Sequence, residues 1–396
     1  MSMISLEQAN ARLARNQSVL AQTETVKIGQ CLGRILAADI VSAINVPPAD
    51  NSAMDGYALL SEDWQGPDHG LEISQRITAG KPPLPLKKGT AARIFTGAEV
   101  PPGADSVVMQ EKCRTDGSSV WMSEIREPGG NIRPKGQDIC TGATVLKAGH
   151  RLRPQDLGLI ASLGIAKVHV RARLKVAIVS TGEELVEPGH ELKPGQIYNS
   201  NRYMLQSLLE SWGFEVVDHG ITADDPDIIS DVMAAASRNA DVIITTGGVS
   251  VGEEDHVKAV VESLGFIDLW RVAIKPGKPF AFGEVLGTPF LGLPGNPVSA
   301  LVTALVIARP FLFACQGASQ QEVVPLKQVA LFDKKSSFRQ EYLRVRMGPD
   351  GAEMFDSQSS GVLYSTTWGD ALAVQKPNVD IQHGDIVDVI PFVLFS

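Results

Sequence analysis

The chain has 396 residues, room for two to four domains, and 44% of them are hydrophobic, enough to build real cores. Its 36 basic and 45 acidic side chains give a net charge of −9, no basic run exceeds a few residues, and aromatics are only 6%, which argues against nucleic acid as a partner. The four cysteines share no close spacing and the seven histidines form no H-E-x-x-H pair, a pattern that suits reduced thiols in a cytoplasmic protein and neither a disulfide frame nor a zinc site.

The opening "MSMISLEQANARLA" lacks a basic segment followed by an apolar run, so no signal peptide is expected. It reads as a helix, with Ser5 and Gln8 placed as a capping box. Residues 42–142 are rich in Pro and Gly, with short β-branched runs between the turns, and predict a β-rich domain. Residues 173–310 alternate instead. "LKVAIVS" and "FEVVDHG" read as strands on either side of a helix over Asn201–Trp212. Asp225-Pro226 opens a second helix, with Ile228, Ile229, Val232, Met233 and Ala236 on one face. "ADVIITTGG" is a strand, followed by a helix holding Val257, Val260, Val261 and Leu264 and stopped by Gly265. "PFLGLPGNP" leads into an apolar helix that Arg309-Pro310 should end, and that interruption favours a buried helix over a membrane span. The alternation predicts an open, mostly parallel α/β sheet with helices on both faces. The tail returns to β character in "YLRVRMG", "ALAVQKP" and "DIVDVIPF", consistent with a small barrel or sandwich.

In an open α/β sheet, ligands bind beyond the carboxyl ends of the strands. "STGEEL", "HGITADDP", "TTGGVSVGEED" and "LPGNPVS" leave strands there. Gly247 and Gly252 have the spacing of a phosphate loop, but acids follow where a Walker A loop has Lys and Ser or Thr. Backbone N–H groups and acids suit one ligand if a divalent cation lies between them. The reading is a phosphoanhydride or phosphate ester bound through Mg²⁺ on Glu184 and Asp255. The alternative is an N-capped helix whose first-turn acids complement its dipole. Lys275 and Lys278 flank a Pro-Gly turn and suit a small, doubly charged oxyanion, or else they are solvated lysines of a surface turn. Pro294, Gly295, Asn296 and Pro297 form a stiff turn feeding a helix N-terminus, which could meet an anion or be purely structural. Asp55-Gly56 reads locally as a hairpin pair. Neither Thr96-Gly97 nor Asp138 within "RPKGQD" signals chemistry alone.

Taken in order, "PPADNSAMDGYA", "IFTGAEVPPGAD", "RPKGQD", "STGEEL", "TTGGVSVGEEDHV", "AIKPGKPFAFG" and "LPGNPVSALV" are far more specific. The chain resembles the MoeA family of molybdopterin molybdenumtransferases, related to the E domain of gephyrin. The resemblance implies insertion of molybdenum from molybdate into adenylylated molybdopterin with release of AMP, the final step of molybdenum cofactor biosynthesis, aided by Mg²⁺. It implies a MogA-like open α/β domain (1–22 with 172–322), a connecting domain (23–41 with 143–171), a β-rich domain (42–142) and a C-terminal small β-barrel (323–396). By motif, the catalytic positions fall on Asp55, Thr96, Asp138, Glu184, Asp224 and Asp255. Substrate-binding positions fall on Gly247, Gly248 and Ser250, on Arg271, Lys275 and Lys278, and on the turn from Pro294 to Pro297. Arg344 and Ser360 align with the oxyanion side. The resemblance further implies a homodimer whose cleft lies between the α/β domain of one subunit and β-rich parts of the other. The adenylyltransferase of the same pathway is a candidate partner, and neither nucleic acid nor membrane is. Two other functions compete: molybdopterin adenylylation from ATP, and a non-catalytic gephyrin-like scaffold.

Overall fold

Aliphatic strands alternating with amphipathic helices build the larger of two compact units, residues 1–37, 148–153 and 168–396. The computed structural model describes residues 3–125, 127–248, 256–319 and 323–395. Seven strands of this unit form one sheet, in spatial order Met3–Ile4, Gly265–Val272, Pro279–Val285, Thr288–Leu293, Val242–Thr246, Lys175–Thr181 and Glu215–Thr222. The last four run parallel, while Pro279–Val285 is antiparallel to both of its neighbours, so the sheet is mixed. From Lys175–Thr181 the chain adds a strand on one side and then returns to add Val242–Thr246 on the other. That reversal opens a crevice at the carboxyl ends of these two strands.

Side chains alternate between the faces along each strand. Val176 and Ile178 join one core with Leu205, Leu209 and Trp212 of the helix region Ser200–Ser211 and its cap. Ala177 and Val179 join the other with Ile229, Met233 and Ala236 of the helix Pro226–Asn239. Burial on both faces explains why this strand reads as a continuous apolar run. The expected helices and strands are present with small shifts at their ends. Ile228 is not on the buried face of its helix but is 46% exposed. The capping box at Ser5 and Gln8 is formed, with reciprocal bonds of 3.0 and 3.2 Å. Gly265 does not lead into a loop; it begins the next strand directly, and a Cβ there would stand 2.1 Å from the Glu284 carbonyl oxygen.

Arg309-Pro310 does not end its helix. Helical backbone continues from Pro297 to Cys315, with a π-type stretch at Ala304–Ala308 just before the proline. Pro310 has no N–H to offer the carbonyl of Val306. That oxygen accepts from Asn10 Nδ2 at 3.3 Å instead. Arg309 is buried, donates through Nε to the Phe395 carbonyl at 2.8 Å, and lies 4.9 Å over the Phe313 ring. Burial, with a smaller push from the charge of Arg151, lowers its pKa to about 10. The helix is long and apolar enough to cross a membrane, yet 78% of it is packed inside the protein, as a core helix would be.

The tail strands Leu326–Val329, Gln340–Met347, Ala371–Gln375 and Ile386–Pro391 form a six-stranded sheet with Ala352–Met354 and with Ile274–Lys275, which comes from the α/β part. Lys275 is thereby placed directly opposite Glu341.

The second unit comprises residues 38–147 and 154–167. Its six-stranded sheet runs Ser106–Met109, Gly56–Leu59, Thr90–Ile94, Leu71–Ile77, Ser119–Met122, Cys113–Thr115. Tyr57 and Leu59 face one small core and Ala58 the other, so this sheet too is buried on both sides.

Candidate active site

The crevice between the two central strands is lined by the loops that follow them. Thr181, Gly182 and Glu184 leave one strand, and Thr246, Gly247 and Gly248 leave the other. With Asn199, Asn201, Asp224, His256 and Pro297 they enclose a cavity of about 540 Å³. Gly182 has φ 146°, and a Cβ on it would stand 2.6 Å from Glu184 Oε2, so glycine leaves the carboxylate its place. A second cavity, of about 780 Å³, adjoins the first and shares Glu184, Gly247, Gly248 and Gly295 with it. Its other walls carry Lys275, Lys278, Arg339, Pro294, Asn296, Gln358 and Ser360. The Glu184 carboxylate therefore stands between the two cavities, with Asp224 on the first and three cationic side chains, Lys275, Lys278 and Arg339, on the second.

Four regions are drawn to this place. Asn201 Nδ2 donates to the Gly295 carbonyl at 2.7 Å, and the Gly247 N–H donates to the Leu293 carbonyl at 3.1 Å. The Val298 N–H donates to the Ser360 carbonyl at 3.0 Å. The Gly247 and Val298 N–H groups are thus engaged within the protein, tying the loops to one another. Behind the loop of Glu184, Arg202 Nε donates to both oxygens of Asp218 at 2.9 and 2.8 Å and its Nη1 pairs with Glu187. Burial pushes Asp218 up, but hydrogen bonds from Arg202 and the Gly220 N–H outweigh it and hold the carboxyl below its ordinary range.

Lys275 Nζ lies 3.2 Å from Glu341 Oε1, and Lys334 Nζ lies 3.3 Å from Oε2. Glu341 is buried. Burial raises its pKa, but hydrogen bonds from Ser337 and Lys275 and the charges of both lysines prevail, leaving it lowered overall.

The structure thus brings together Glu184, Asp224, Gly247, Gly248, Lys275, Lys278, Pro294, Gly295, Asn296, Pro297 and Ser360. Two expected positions lie elsewhere. Arg271 sits on the strand Gly265–Val272, opposite Pro279, and lines neither cavity. Arg344 is fully buried and donates to Ser365 Oγ, to the Tyr342 carbonyl and to the carbonyls of Ser357 and Ser359. It braces the loop of Ser360 from inside and does not face the cavity, and its burial lowers its pKa to about 10. Arg339 is the arginine on the cavity wall, and its buried Nε has no hydrogen-bond partner. Ser250 and Asp255, with Glu253 and Glu254, lie outside the described residues.

Sequence reasoning passed over Asn199, Asn201, Arg339 and Glu341. Asn199 left a usable signal: it caps the helix Ser200–Ser211, accepting from the Arg202 N–H at 3.2 Å. Glu341 left none, because its partner on the cavity wall, Lys275, lies 66 residues away in sequence.

Asp55, Thr96 and Asp138 belong to the second unit. Asp55 precedes Gly56, where a Cβ would fall 1.9 Å from the Val108 carbonyl oxygen; close strand approach, not a hairpin turn, requires that glycine. Asp55 Oδ1 accepts from the Thr96 N–H and Oγ1, both at 2.8 Å. These two bonds, the backbone one foremost, hold its pKa below the ordinary carboxylate range. The interaction is complete above the unfolded-state pKa of the carboxyl and is lost as pH falls through the lowered value. Thr96→Val keeps the N–H and removes the hydroxyl, so the Asp55 pKa should rise part of the way back, as followed by carboxyl-carbon NMR titration; an unchanged value would remove the hydroxyl from this account. Asp138 is exposed, and its N–H donates to the Val46 carbonyl at 2.9 Å.

The carboxylates of Glu184 and Asp224 on the cavity wall are oxygen donors of the kind Mg²⁺ takes, one or two of them with phosphate and water completing its sphere. Among the described residues no three His, Cys, Asp or Glu side chains converge into a metal cage, and this type of site needs none.

Family models match three successive regions: the MoeA N-terminal region (domain I and II) over residues 4–164, a probable molybdopterin binding domain over 177–314, and the MoeA C-terminal region (domain IV) over 330–392. The molybdopterin molybdenumtransferase of Haemophilus influenzae is 44% identical over 327 residues, covering 82% of this chain and 80% of its own. Molybdopterin molybdenumtransferase 2 of Mycobacterium tuberculosis is 42% identical over 306 residues, covering 74% of this chain and 75% of its own. A crystal structure of the molybdopterin biosynthesis MoeA protein from Pyrococcus horikoshii superposes with a TM-score of 0.82 at 32% identity, covering 99% of each chain. The multidomain fold, the succession of matched regions and this level of identity agree, and the chain belongs to the MoeA family of molybdopterin molybdenumtransferases.

Proposed function

We propose that this chain inserts molybdenum from molybdate into adenylylated molybdopterin and releases AMP, the last step of molybdenum cofactor assembly. The observation that carries this reading is the common wall of the two cavities: the carboxylates of Glu184 and Asp224 line one, and Lys275, Lys278 and Arg339 line the other. A phosphoanhydride and a tetrahedral oxyanion need opposite electrostatics at close quarters, and here Glu184, Gly247, Gly248 and Gly295 border both. In this reading Glu184 and Asp255 would hold Mg²⁺, which when bound would supply charge neutralisation on the pyrophosphate oxygens. Lys275 and Lys278 hold molybdate beside the dithiolene, and Arg339 adds a third positive charge on the same wall. Asp55 orients reacting groups, with Thr96 fixing its carboxylate. The lysine cavity favours insertion over adenylylation, a reaction that involves no oxyanion of this kind.

The reading includes a cytoplasmic homodimer, contact with the adenylyltransferase of the same pathway, and a barrel-like C-terminal sheet whose edges meet at the Ala330–Ala352 bridge. A crystal structure soaked with AMP, Mg²⁺ and molybdate tests the site. Phosphate beside Glu184 and Asp224, with molybdate against Lys275 and Lys278, is the expected result. Nucleotide lodged elsewhere, or seated there with no cation, overturns the arrangement. Sedimentation showing only monomer at micromolar concentration, with full activity, overturns the dimer.

A further inference from the structure

We propose that Glu341 is a positioning residue for the oxyanion cavity: it lines no wall itself, but it fixes the ammonium group of Lys275 where molybdate is to be met. The proposal rests on the reading of the lysine cavity given above. Four observations carry it. Glu341 is only 2% exposed, so its charge has no water to turn to. Its two oxygens are divided between two lysines, Oε1 with Lys275 and Oε2 with Lys334. Its backbone is register partner to Lys275, so the α/β part and the C-terminal sheet meet at this pair. Of the two lysines, only Lys275 lines the cavity, and its side chain remains 37% exposed.

A long lysine side chain left to itself samples many rotamers and loses that freedom on binding an anion. A buried carboxylate behind the ammonium removes much of this loss beforehand, because the side chain is already held. It also offsets the repulsion between Lys275 and Lys334, whose ammonium groups it shares, on a wall that already carries Lys278 and Arg339. A buried carboxylate is costly unless paired, so releasing Lys275 would leave Glu341 with Lys334 as its one remaining ion-pair partner. The arrangement leaves the outward-facing protons of Lys275 to the ligand and turns one inward.

The test is Glu341→Gln in the full chain, with two readouts. In the insertion assay, the half-saturating molybdate concentration should rise about tenfold while kcat at saturating molybdate stays within about twofold, the loss of one charge-assisted contact behind the binding group. In competitive acetylation followed by mass spectrometry, with no substrate present, Lys275 should react several-fold faster than in the parent chain, while the exposed Lys327 should not change. Lys275→Met combined with Glu341→Gln should be no worse for molybdate saturation than Lys275→Met alone. Unchanged Lys275 reactivity, a fall in kcat with unchanged half-saturation, or fully additive losses in the double variant would each make Glu341 a structural strut and overturn the proposal. If Glu341→Gln does not fold, Glu341→Asp, which keeps the charge on a shorter arm, takes its place with the same readouts and a smaller effect. If the parent chain consumes no molybdate, the insertion reading fails, and the acetylation arm still decides whether Glu341 holds Lys275.

Discussion

Glu184→Gln is expected to slow release of AMP from adenylylated molybdopterin by about 10²- to 10³-fold, the loss typical of removing one group that stabilises transition-state charge. The substitution keeps the shape of the side chain and removes its charge. Glu184 lies on the wall common to both cavities, in the turn opened by Gly182, so an amide there leaves the loop geometry in place. The defect should be partly recovered by raising Mg²⁺, because a weakened ligand set still binds the ion at higher concentration. Single-turnover AMP release, measured across Mg²⁺ concentrations, checks both statements. Release within about twofold of the parent rate at every Mg²⁺ concentration would place the ion away from Glu184, since a lost charge-stabilising group costs far more than that. Asp255→Asn should behave in the same direction, because Asp255 is the second ligand in this reading.

Trp212→Ala is expected to destabilise the protein by about 3–5 kcal/mol in denaturant unfolding, the range for removing a large aromatic from a core that collapses only in part. Trp212 is 1% exposed and caps the helix Ser200–Ser211. Its ring stands edge-on to Phe214 at 6.2 Å and tilted against Phe313 at 6.4 Å, and its Nε1 has no partner. Its contribution is therefore packing and not hydrogen bonding, and Trp212→Phe should recover much of the loss. The other end of this helix carries Asn199 and Asn201 to the cavity, so the alanine variant should also bind AMP more weakly. A destabilisation under about 1 kcal/mol would mean that the aromatic cluster closes over the gap.

Both expectations draw on features of different legibility. The helix of Trp212 and the strand Lys175–Thr181 could be read from periodicity, because local spacing decides which side chains share a face. The same reasoning misjudged Pro310. A proline normally ends a helix because it leaves a carbonyl without a partner. Here Asn10, nearly three hundred residues away in sequence, supplies that partner, and no local window contains it. Ile228 was misplaced for a related reason: its helix packs a narrower face than its apolar stripe suggests.

The sequence by itself determined the alternating α/β order, the β-rich character of residues 42–142, the capping box at Ser5 and the motif order that carries the family resemblance. Each of these depends on neighbours along the chain or on residue identity at set spacings. Tertiary structure alone decided that Pro279–Val285 runs antiparallel, that Arg344 is turned inward while Arg339 lines the cavity, and that Glu341 stands behind Lys275. These are matters of which strand lies beside which and of what water can reach. Such facts arise from contacts between segments far apart in the chain, where burial and pairing, and not spacing, set the energy.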